Sequence, residues 1–175
     1  MKFIAIKLSG AFIIDPEPVE DARGFFARTF CSREFEKTGL VSSFVQSSVS
    51  SSHRRGTLRG MHFQTGPACE VKLVRCVAGA IYDVIVDLRR DSPTYLQHVG
   101  VELNAENRRA IYVPEEFAHG LQTLQDNSEV LYLISAFYAP DKAAGLRYND
   151  PKLGICWPLP ITNISEKDTK WPLLD

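Results

Sequence analysis

Residues 57–135 form an almost unbroken series of short apolar runs, and this pattern restricts the chain to a β-rich fold. The runs are rich in Val, Ile, Leu and Tyr and are separated by Gly, Pro, Asn or Asp. Their predicted ranges are 57–64, 71–77, 81–88, 97–103, 109–113, 120–125 and 129–135. Strands with turn signals about every 8 to 12 residues predict an antiparallel sandwich or barrel. The absence of alternating helical segments argues against a parallel sheet.

The segments outside this series are less regular. Residues 3–8 and 11–14 are strand-like, and residues 32–38 are the one predicted helix, which Ser32 would cap and Gly39 would end. Residues 47–52 contain five serines and are predicted to form a polar, mobile loop. The prolines that recur after residue 135 predict an irregular segment that wraps around the sheets.

Length and charge limit the class of protein. A chain of 175 residues can bury a substantial core, and we expect a single domain over residues 1–175. The net charge is −1, so no overall basic field attracts nucleic acid. The four cysteines lie far apart without a CxxC pair. There is neither a signal-like apolar N-terminus nor an apolar run of about 18 residues, so we expect a cytoplasmic protein that does not bind a membrane.

His62 and Lys72 are the candidate catalytic pair within the strand series. They lie ten residues apart on two predicted neighbouring strands. A histidine titrates near neutral pH and can take a proton, and a lysine can stabilise a developing enolate oxygen. The pair therefore suits proton removal next to a carbonyl. A half-buried surface histidine and a lysine lying along apolar surface would give the same pattern.

Arg59 lies on the same predicted strand as His62. The two residues have opposite parity, so on a flat strand they would face opposite sides of the sheet. Either a bulge at Gly60 or a long reach of the Arg59 side chain around the rim is needed to bring them together.

A metal site is the first alternative for a histidine in a β sandwich. Metal-binding jelly rolls usually carry His-x-His on one strand, so that both rings point inward. Here the stretch is His62-Phe63-Gln64, and an amide replaces the second imidazole. His119 could add a ligand, but two histidines without a placed carboxylate make a poor site. We therefore expect no metal and no other cofactor.

Several stretches together resemble one family, although each is a weak signal alone. They are RGFF (23–26), LRGMHFQ (58–64), KLVR (72–75), DVIVDLR (83–89), VELNAEN (101–107), FAHG (117–120), SEKD (165–168) and PLL (172–174). In this order, over nearly the whole chain, they resemble the dTDP-4-dehydrorhamnose 3,5-epimerase family. The resemblance implies a mostly β, cupin-type double-stranded β-helix (jelly roll) with one short helix and an irregular C-terminal wrap. It also implies a homodimer, a nucleotide-diphosphate sugar as substrate and no metal.

The resemblance implies an epimerase that inverts C3, C5 or both in a nucleotide-linked 4-keto-6-deoxyhexose, in deoxysugar biosynthesis. His62 matches the general base, and Asp168 matches the carboxylate that orients it. Lys72 matches the residue that faces the C4 carbonyl oxygen, and Tyr138 matches the general acid on the opposite face of the ring. Inversion needs a base on one face and a proton donor on the other, which these residue types can supply.

Binding residues follow from the same resemblance. Gln46 and Arg59 match contacts to the nucleotide diphosphate, and His119 matches a residue that lines the pocket. Arg23 and Phe26 match contacts that the neighbouring subunit lends.

Arg28 is the most informative departure, because the family usually has a glutamate there, near the base. A carboxylate can accept the N3–H of thymine, whereas an arginine only donates, which suits cytosine. A CDP-linked substrate is therefore an alternative to a dTDP-linked one, and inversion at a single centre is another. Arg28 could instead point to solvent or pair with Glu20 or Asp21. A non-catalytic sugar- or metal-binding cupin is the alternative from a different class, but it would not need a base and an acid together.

Overall fold

Two sheets that face each other form the body of the molecule. The computed structural model describes residues 1–174. Its elements in chain order are β1 (Lys2–Ala5), β2 (Phe12–Asp15), β3 (Val19–Asp21), β4 (Gly24–Phe26), α1 (Ser32–Lys37), β5 (Gln46–Ser52), β6 (Thr57–Gln64), β7 (Lys72–Ala78), β8 (Ala80–Asp87), β9 (His98–Asn104), β10 (Ala110–Val113), β11 (Phe117–Thr123), β12 (Ser128–Ile134), β13 (Ala143–Gly145), β14 (Asn163–Ile164) and α2 (Glu166–Thr169).

The first sheet has the strand order β1-β2-β10-β7-β12-β5, and the second has the order β13-β6-β11-β8-β9. All neighbours in these two orders are antiparallel, and β14 adds a short parallel pairing to β6. β3 and β4 form a separate two-stranded hairpin, residues 19–26, which we call the arm. The seven runs predicted between residues 57 and 135 correspond to β6–β12, and the predicted mostly β jelly roll is confirmed.

The alternation of side chains along each strand separates three apolar layers. Between the sheets, Val74 of β7 packs in one cluster with Ile81 and Ile85 of β8. Val84 of β8 points the other way and packs beneath the C-terminal segment, where it shares a cluster with Leu153. A third cluster fills the outer face of the first sheet. Both outer faces are therefore covered, and the space between the sheets is left to hold the core and the site.

Helix α1 covers the first sheet through one buried side chain. Phe35 is fully buried, with ring centroids 5.2 Å from Phe3, 5.0 Å from Phe30 and 6.2 Å from Tyr112. The expected cap was wrong in detail: Ser32 is the first helical residue, and the residue before it makes no side-chain capping bond. Within residues 1–174, no helix is long and apolar enough to cross a membrane.

The serine-rich segment is a strand, so the predicted polar loop was wrong. β5 pairs with β12 over its whole length, from Gln46 opposite Ile134 to Ser52 opposite Ser128. It lies at the edge of the first sheet. Alternate serines, Ser48 and Ser50, face the cavity between the sheets rather than the packed core. The composition is polar because this inner face is not packed against apolar residues, and composition alone therefore misidentified the strand.

Candidate active site

A cavity of about 640 Å³ lies between the two sheets. The polar groups that line it come from both sheets and from the C-terminal wrap. From the first sheet they include Gln46, Ser48, Ser50, Lys72 and Tyr132; from the second they include Arg59, His62 and His119; α2 contributes Asp168. The two sheets thus present different chemical groups to one cavity.

A bulge in β6 brings Arg59 and His62 to this cavity. His62 pairs with His119 of β11, and Arg59, three residues earlier, pairs with Leu121, only two residues later. β6 therefore contains one extra residue across this stretch. Gly60 lies in the bulge with a φ of 122°, and a Cβ there would come within 2.6 Å of the β11 backbone. Of the two alternatives that strand parity left open, the structure contains the bulge.

The buried carboxylate of Asp168 holds the ring of His62. The two groups meet at 2.6 Å, between His62 Nε2 and Asp168 Oδ1; the side chain of His62 is 45% exposed and that of Asp168 is 4% exposed. Asp168 Oδ2 accepts from the Gly60 N–H at 3.2 Å, and Oδ1 accepts from the Trp171 Nε1–H at 3.2 Å. Ser165 caps the short helix α2 by accepting from the Asp168 N–H. The predicted base and its predicted orienting residue are therefore in direct contact.

The protonation state of Asp168 decides which nitrogen of His62 is reactive. Burial opposes ionisation, but the hydrogen bond with His62, the charge of His62 and the Gly60 N–H outweigh it and lower the pKa of Asp168 below its ordinary value of 3.8. An ionised carboxylate only accepts hydrogen bonds, so His62 Nε2–H is the donor. Nδ1 is then the ring nitrogen that can take a proton.

Lys72 lies on the opposite sheet, on the central strand β7. Its Nζ is 2.8 Å from Glu70 Oε1 and donates to the carbonyl oxygen of His62 at 3.3 Å. Glu70 was not among the predicted residues. The available signal was an acidic residue next to an apolar strand and two positions from Lys72, which on a strand places both on one face.

Arg59, Gln46 and Tyr138 line the same cavity. Arg59 is fixed by β5, because its Nε donates to Ser52 Oγ at 3.0 Å and its Nη2 donates to the Ser51 carbonyl at 2.9 Å. The Tyr138 N–H donates to Gln46 Oε1 at 2.7 Å, and Tyr138 itself is 62% exposed. A fixed arginine suits an anionic diphosphate.

Tyr132 is a second tyrosine in the cavity, and the sequence did not single it out. Its hydroxyl is 3.3 Å from Ser50 Oγ, and its ring centroid is 6.1 Å from that of His119. Burial raises the pKa of the Tyr132 phenol to about 12, so the hydroxyl keeps its proton at neutral pH. Within the run 129–135 an inward tyrosine follows the same alternation as a core residue, so periodicity alone could not reveal it.

His119 lines the cavity beside His62, as predicted from its position. Its Nε2 lies 2.7 Å from Asp83 Oδ2, and both side chains are buried. The ring of His119 is therefore held in place as part of the cavity wall.

Arg23, Phe26 and Arg28 do not line the cavity of their own chain. Arg23 pairs with Asp21 at 2.5 Å within the arm, and Phe26 is 75% exposed. Arg28 does not pair with Glu20 or Asp21; its Nη1 donates to Glu34 Oε1 at 3.2 Å.

In the part of the chain from residue 1 to 174, no group of three or more His, Cys, Asp or Glu side chains is arranged to hold a metal ion. Gln64, at the position of the second histidine in His-x-His, accepts from the Ala139 N–H at 2.6 Å and donates to the Ala68 carbonyl at 2.9 Å. The Gln64 amide therefore links β6 to the segments that contain Ala68 and Ala139.

Comparison with known proteins agrees with this geometry. A sequence model of the dTDP-4-dehydrorhamnose 3,5-epimerase family matches residues 5–175. The dTDP-4-dehydrorhamnose 3,5-epimerase of Methanothermobacter thermautotrophicus is 46% identical over 173 residues, which cover 97% of this chain and 92% of the relative. The enzyme of that name from Bacillus anthracis, solved with TDP and PPi bound, is 43% identical with a TM-score of 0.96 and 99% coverage of both chains.

A third relative is a double mutant of a 3'-monoepimerase from Streptomyces bikiniensis, solved in complex with dTDP. It is 32% identical, has a TM-score of 0.89, and the alignment covers 97% of this chain and 86% of that one. The mutations replace a histidine and a tyrosine. With the family model spanning almost the whole sequence and full-length relatives above 40% identity, the chain belongs to the dTDP-4-dehydrorhamnose 3,5-epimerase family of isomerases.

Proposed function

We propose that the chain inverts C3 and C5 of dTDP-4-dehydro-6-deoxyglucose, a 4-keto-6-deoxyhexose, without a metal or another cofactor. One observation carries the proposal: the His62–Asp168 pair faces the cavity from one side while Lys72 and Tyr132 face it from the opposite sheet. Both C3 and C5 adjoin the C4 carbonyl, so their hydrogens are acidic. A base and a cation on opposite walls suit enolate formation from a sugar held between them.

His62 is the general base in this proposal. Its Nδ1 takes the proton from the carbon next to the carbonyl, and the ionised carboxylate of Asp168 stabilises the imidazolium that forms. Lys72 faces the C4 oxygen, where its ammonium stabilises the negative charge that develops on the enolate.

Inversion also requires a proton donor on the ring face opposite the base, and two tyrosines compete for that role. Tyr138 is the position that the sequence resemblance indicates. Tyr132 lies on the sheet opposite His62, is partly buried and keeps its proton. In the S. bikiniensis double mutant, the replaced histidine and tyrosine are separated by the same number of residues as His62 and Tyr132. We therefore favour Tyr132 as the donor and Tyr138 as a residue of the rim.

The nucleotide is proposed to be dTDP. The B. anthracis relative binds TDP and the S. bikiniensis relative binds dTDP. Arg28 was the one reason to expect cytidine, and its guanidinium is paired with the carboxylate of Glu34. Arg59 and Gln46 are the proposed contacts for the diphosphate.

We further propose a homodimer in which the arm of one subunit completes the cavity of the other. The arm pairs with neither of the two main sheets, and its apolar residues Val19 and Phe26 are exposed. A two-stranded hairpin with exposed apolar side chains is marginal in water unless another surface covers it. Arg23 and Phe26 would then contact the nucleotide of the partner, as the resemblance implies.

Deuterium uptake tests the proposed base. Incubation with dTDP-4-dehydro-6-deoxyglucose in deuterated water should introduce deuterium at C3 and C5, and NMR would measure the uptake at each carbon. His62→Ala should slow that uptake by more than about 10³-fold, a loss expected for a general base, while dTDP binding measured by calorimetry stays near wild type. His53→Ala is the matched control, because His53 is exposed and lies outside the cavity.

Uptake by His62→Ala at the wild-type rate would show that His62 is not the base. Deuterium at only one carbon, with product inverted only there, would replace the proposed double inversion by a single-centre reaction. This alternative is a real one in this fold, since a relative is a 3'-monoepimerase.

A further inference from the structure

The cavity wall contains a buried carboxylate that the proposed reaction does not use. Glu70 Oε1 is 2.8 Å from Lys72 Nζ, and the two side chains are only 5% and 11% exposed. Among residues 1–174, Glu70 Oε2 is buried and has no hydrogen-bond partner. Glu70 and Lys72 line the same cavity as His62.

This arrangement is a poor way to stabilise a fold. Removing a carboxylate and an ammonium from water costs free energy that their attraction offsets only when further hydrogen bonds satisfy both groups. Here one oxygen of Glu70 lacks such a bond. Apolar residues of similar volume would hold this wall at least as well, so the pair points to a role in the cavity.

The contacts of Lys72 define that role. An ammonium has three donor hydrogens. One contact is to Glu70, and another is to the backbone carbonyl of His62, the residue that carries the proposed base. The third hydrogen remains for a ligand, and the first two contacts fix the ammonium beside the base.

We propose that Glu70 is a positioning residue that holds the Lys72 ammonium in place and directs it toward the C4 oxygen of the substrate. The inference rests on the proposed function, since it takes Lys72 as the group that stabilises the enolate. A fixed direction of approach lowers the barrier because the cation need not reorient as charge develops on the oxygen.

The other titratable groups near Lys72 do not substitute for Glu70. The remaining titratable side chains of the cavity are Arg59, His62, His119, Tyr132, Tyr138, Lys167 and Asp168. The two carboxylates paired to these histidines, Asp168 and Asp83, are each engaged by a ring nitrogen. Glu115 and Glu116, which follow the neighbouring strand β10, are exposed. In the described chain, Glu70 is the acidic partner of the Lys72 ammonium.

Glu70→Gln tests the proposal with little change in volume. We expect kcat to fall by about tenfold to a hundredfold, the scale of loss when a catalytic group is misplaced by about 1 Å, with a smaller change in KM. Glu115→Gln, a nearby exposed carboxylate outside the machinery, should change neither quantity.

A double-mutant cycle shows whether Glu70 acts through Lys72. In a Lys72→Met background, Glu70→Gln should cause little further loss of kcat. Glu70→Asp retains the carboxylate but withdraws it from Lys72 by one methylene group, so kcat should fall less than with Glu70→Gln. Glu70→Asp also replaces Glu70→Gln in the cycle if Glu70→Gln unfolds, which thermal denaturation would reveal.

A Glu70→Gln enzyme with wild-type kcat overturns the proposal, as does an equal loss of kcat in both backgrounds. If Glu70→Gln does not fold, an equal loss of kcat for Glu70→Asp in both backgrounds overturns it as well. If Lys72→Met itself leaves deuterium uptake unchanged, the proposed role of Lys72 fails and the inference about Glu70 fails with it. If Lys72→Met loses activity but Glu70→Gln does not, only the proposed role of Glu70 is rejected. Failure of the inference can therefore be distinguished from failure of the proposed function.

Discussion

Replacing Asp168 by Asn removes one charge from the site and keeps the shape of the side chain. The carboxylate accepts from three donors: the rings of His62 and Trp171 at Oδ1, and the Gly60 N–H at Oδ2. An amide has one oxygen and one NH₂ group, so it cannot accept on both sides. In one orientation the NH₂ group meets the Gly60 N–H. In the other it meets the rings, and His62 is driven to the tautomer in which Nδ1 carries the proton.

The magnitude follows from these contacts. A hydrogen bond to a charged group contributes about 1.5–3 kcal/mol, and a factor of ten in rate corresponds to about 1.4 kcal/mol. Loss of the carboxylate beside the imidazolium therefore slows proton abstraction by roughly 10- to 150-fold. The second orientation also blocks Nδ1, so we expect the total loss in kcat to exceed about a hundredfold.

Deuterium uptake from deuterated water measures the loss, and urea denaturation checks that the fold is retained. Asp141→Asn is the matched control, because Asp141 is an exposed aspartate paired with Lys142. An Asp168→Asn enzyme that folds normally and exchanges within about threefold of the wild-type rate would refute the reasoning.

The free energy of unfolding should depend on pH because of the charge of Asp168. The pKa of Asp168 is lower in the folded state than its ordinary value of 3.8, so the folded state favours the ionised form. The stabilisation is therefore present above about pH 4 and is lost as the pH falls through the lowered pKa. Urea denaturation of the wild type and of Asp168→Asn at pH 7 and at pH 3 should give free energies of unfolding whose difference shrinks at the lower pH. A constant difference would mean that the charge of Asp168 does not contribute.

Three further predictions concern the proposed proton donor, the bulge at Gly60 and the effect of a metal chelator. Tyr132→Phe should reduce inversion far more than deuterium uptake, because enolate formation survives while reprotonation from the far face lacks its donor. Tyr138→Phe should reduce the rate of inversion by less than about tenfold. If Tyr138→Phe instead lowers inversion more than Tyr132→Phe does, Tyr138 is the proton donor. Gly60→Ala should lower the free energy of unfolding by more than about 2 kcal/mol in urea, because its Cβ meets backbone at 2.6 Å and φ is positive; Gly154→Ala, whose Cβ meets open space at a positive φ, separates the clash from the backbone strain. Dialysis against EDTA should leave activity unchanged, since His62 and His119 each use a ring nitrogen on a carboxylate; loss that added metal restores would contradict this.

The sequence predicted the parts of the fold that depend on local pattern. β6 covers residues 57–64 as expected, and the remaining strands of the series differ by a few residues at their ends. Strand parity also indicated an irregularity at Gly60, because Arg59 and His62 could not share a face on a regular strand. Motif order supplied His62, Lys72 and Asp168, which the fold brings to one cavity from three separate elements.

Features that depend on what lies opposite a strand were not predictable. Residues 47–52 form a strand because β12 pairs with them, and a strand can carry Ser48 and Ser50 on its inner face because these two side chains face a cavity. Tyr132 alternates like a core residue, and only the position of the cavity distinguishes it. Glu70 carries no motif, and its importance comes from a 2.8 Å contact with Lys72. Arg28 was judged by its residue type, whereas Glu34 determines its environment.

The proposed reacting groups belong to different sheets, so the apolar core between the sheets sets the distance between those groups. Sheets packed face to face lie about 10 Å apart, at a distance set by the side chains that interdigitate between them. Val74, Ile85 and Leu121 belong to the cluster that fills this interval. Removing a methylene group there changes no residue of the cavity, but any change in sheet separation that follows would alter the distance from one wall to the other. We therefore expect the turnover rate of such a variant to depend on the packing of side chains that never contact the substrate.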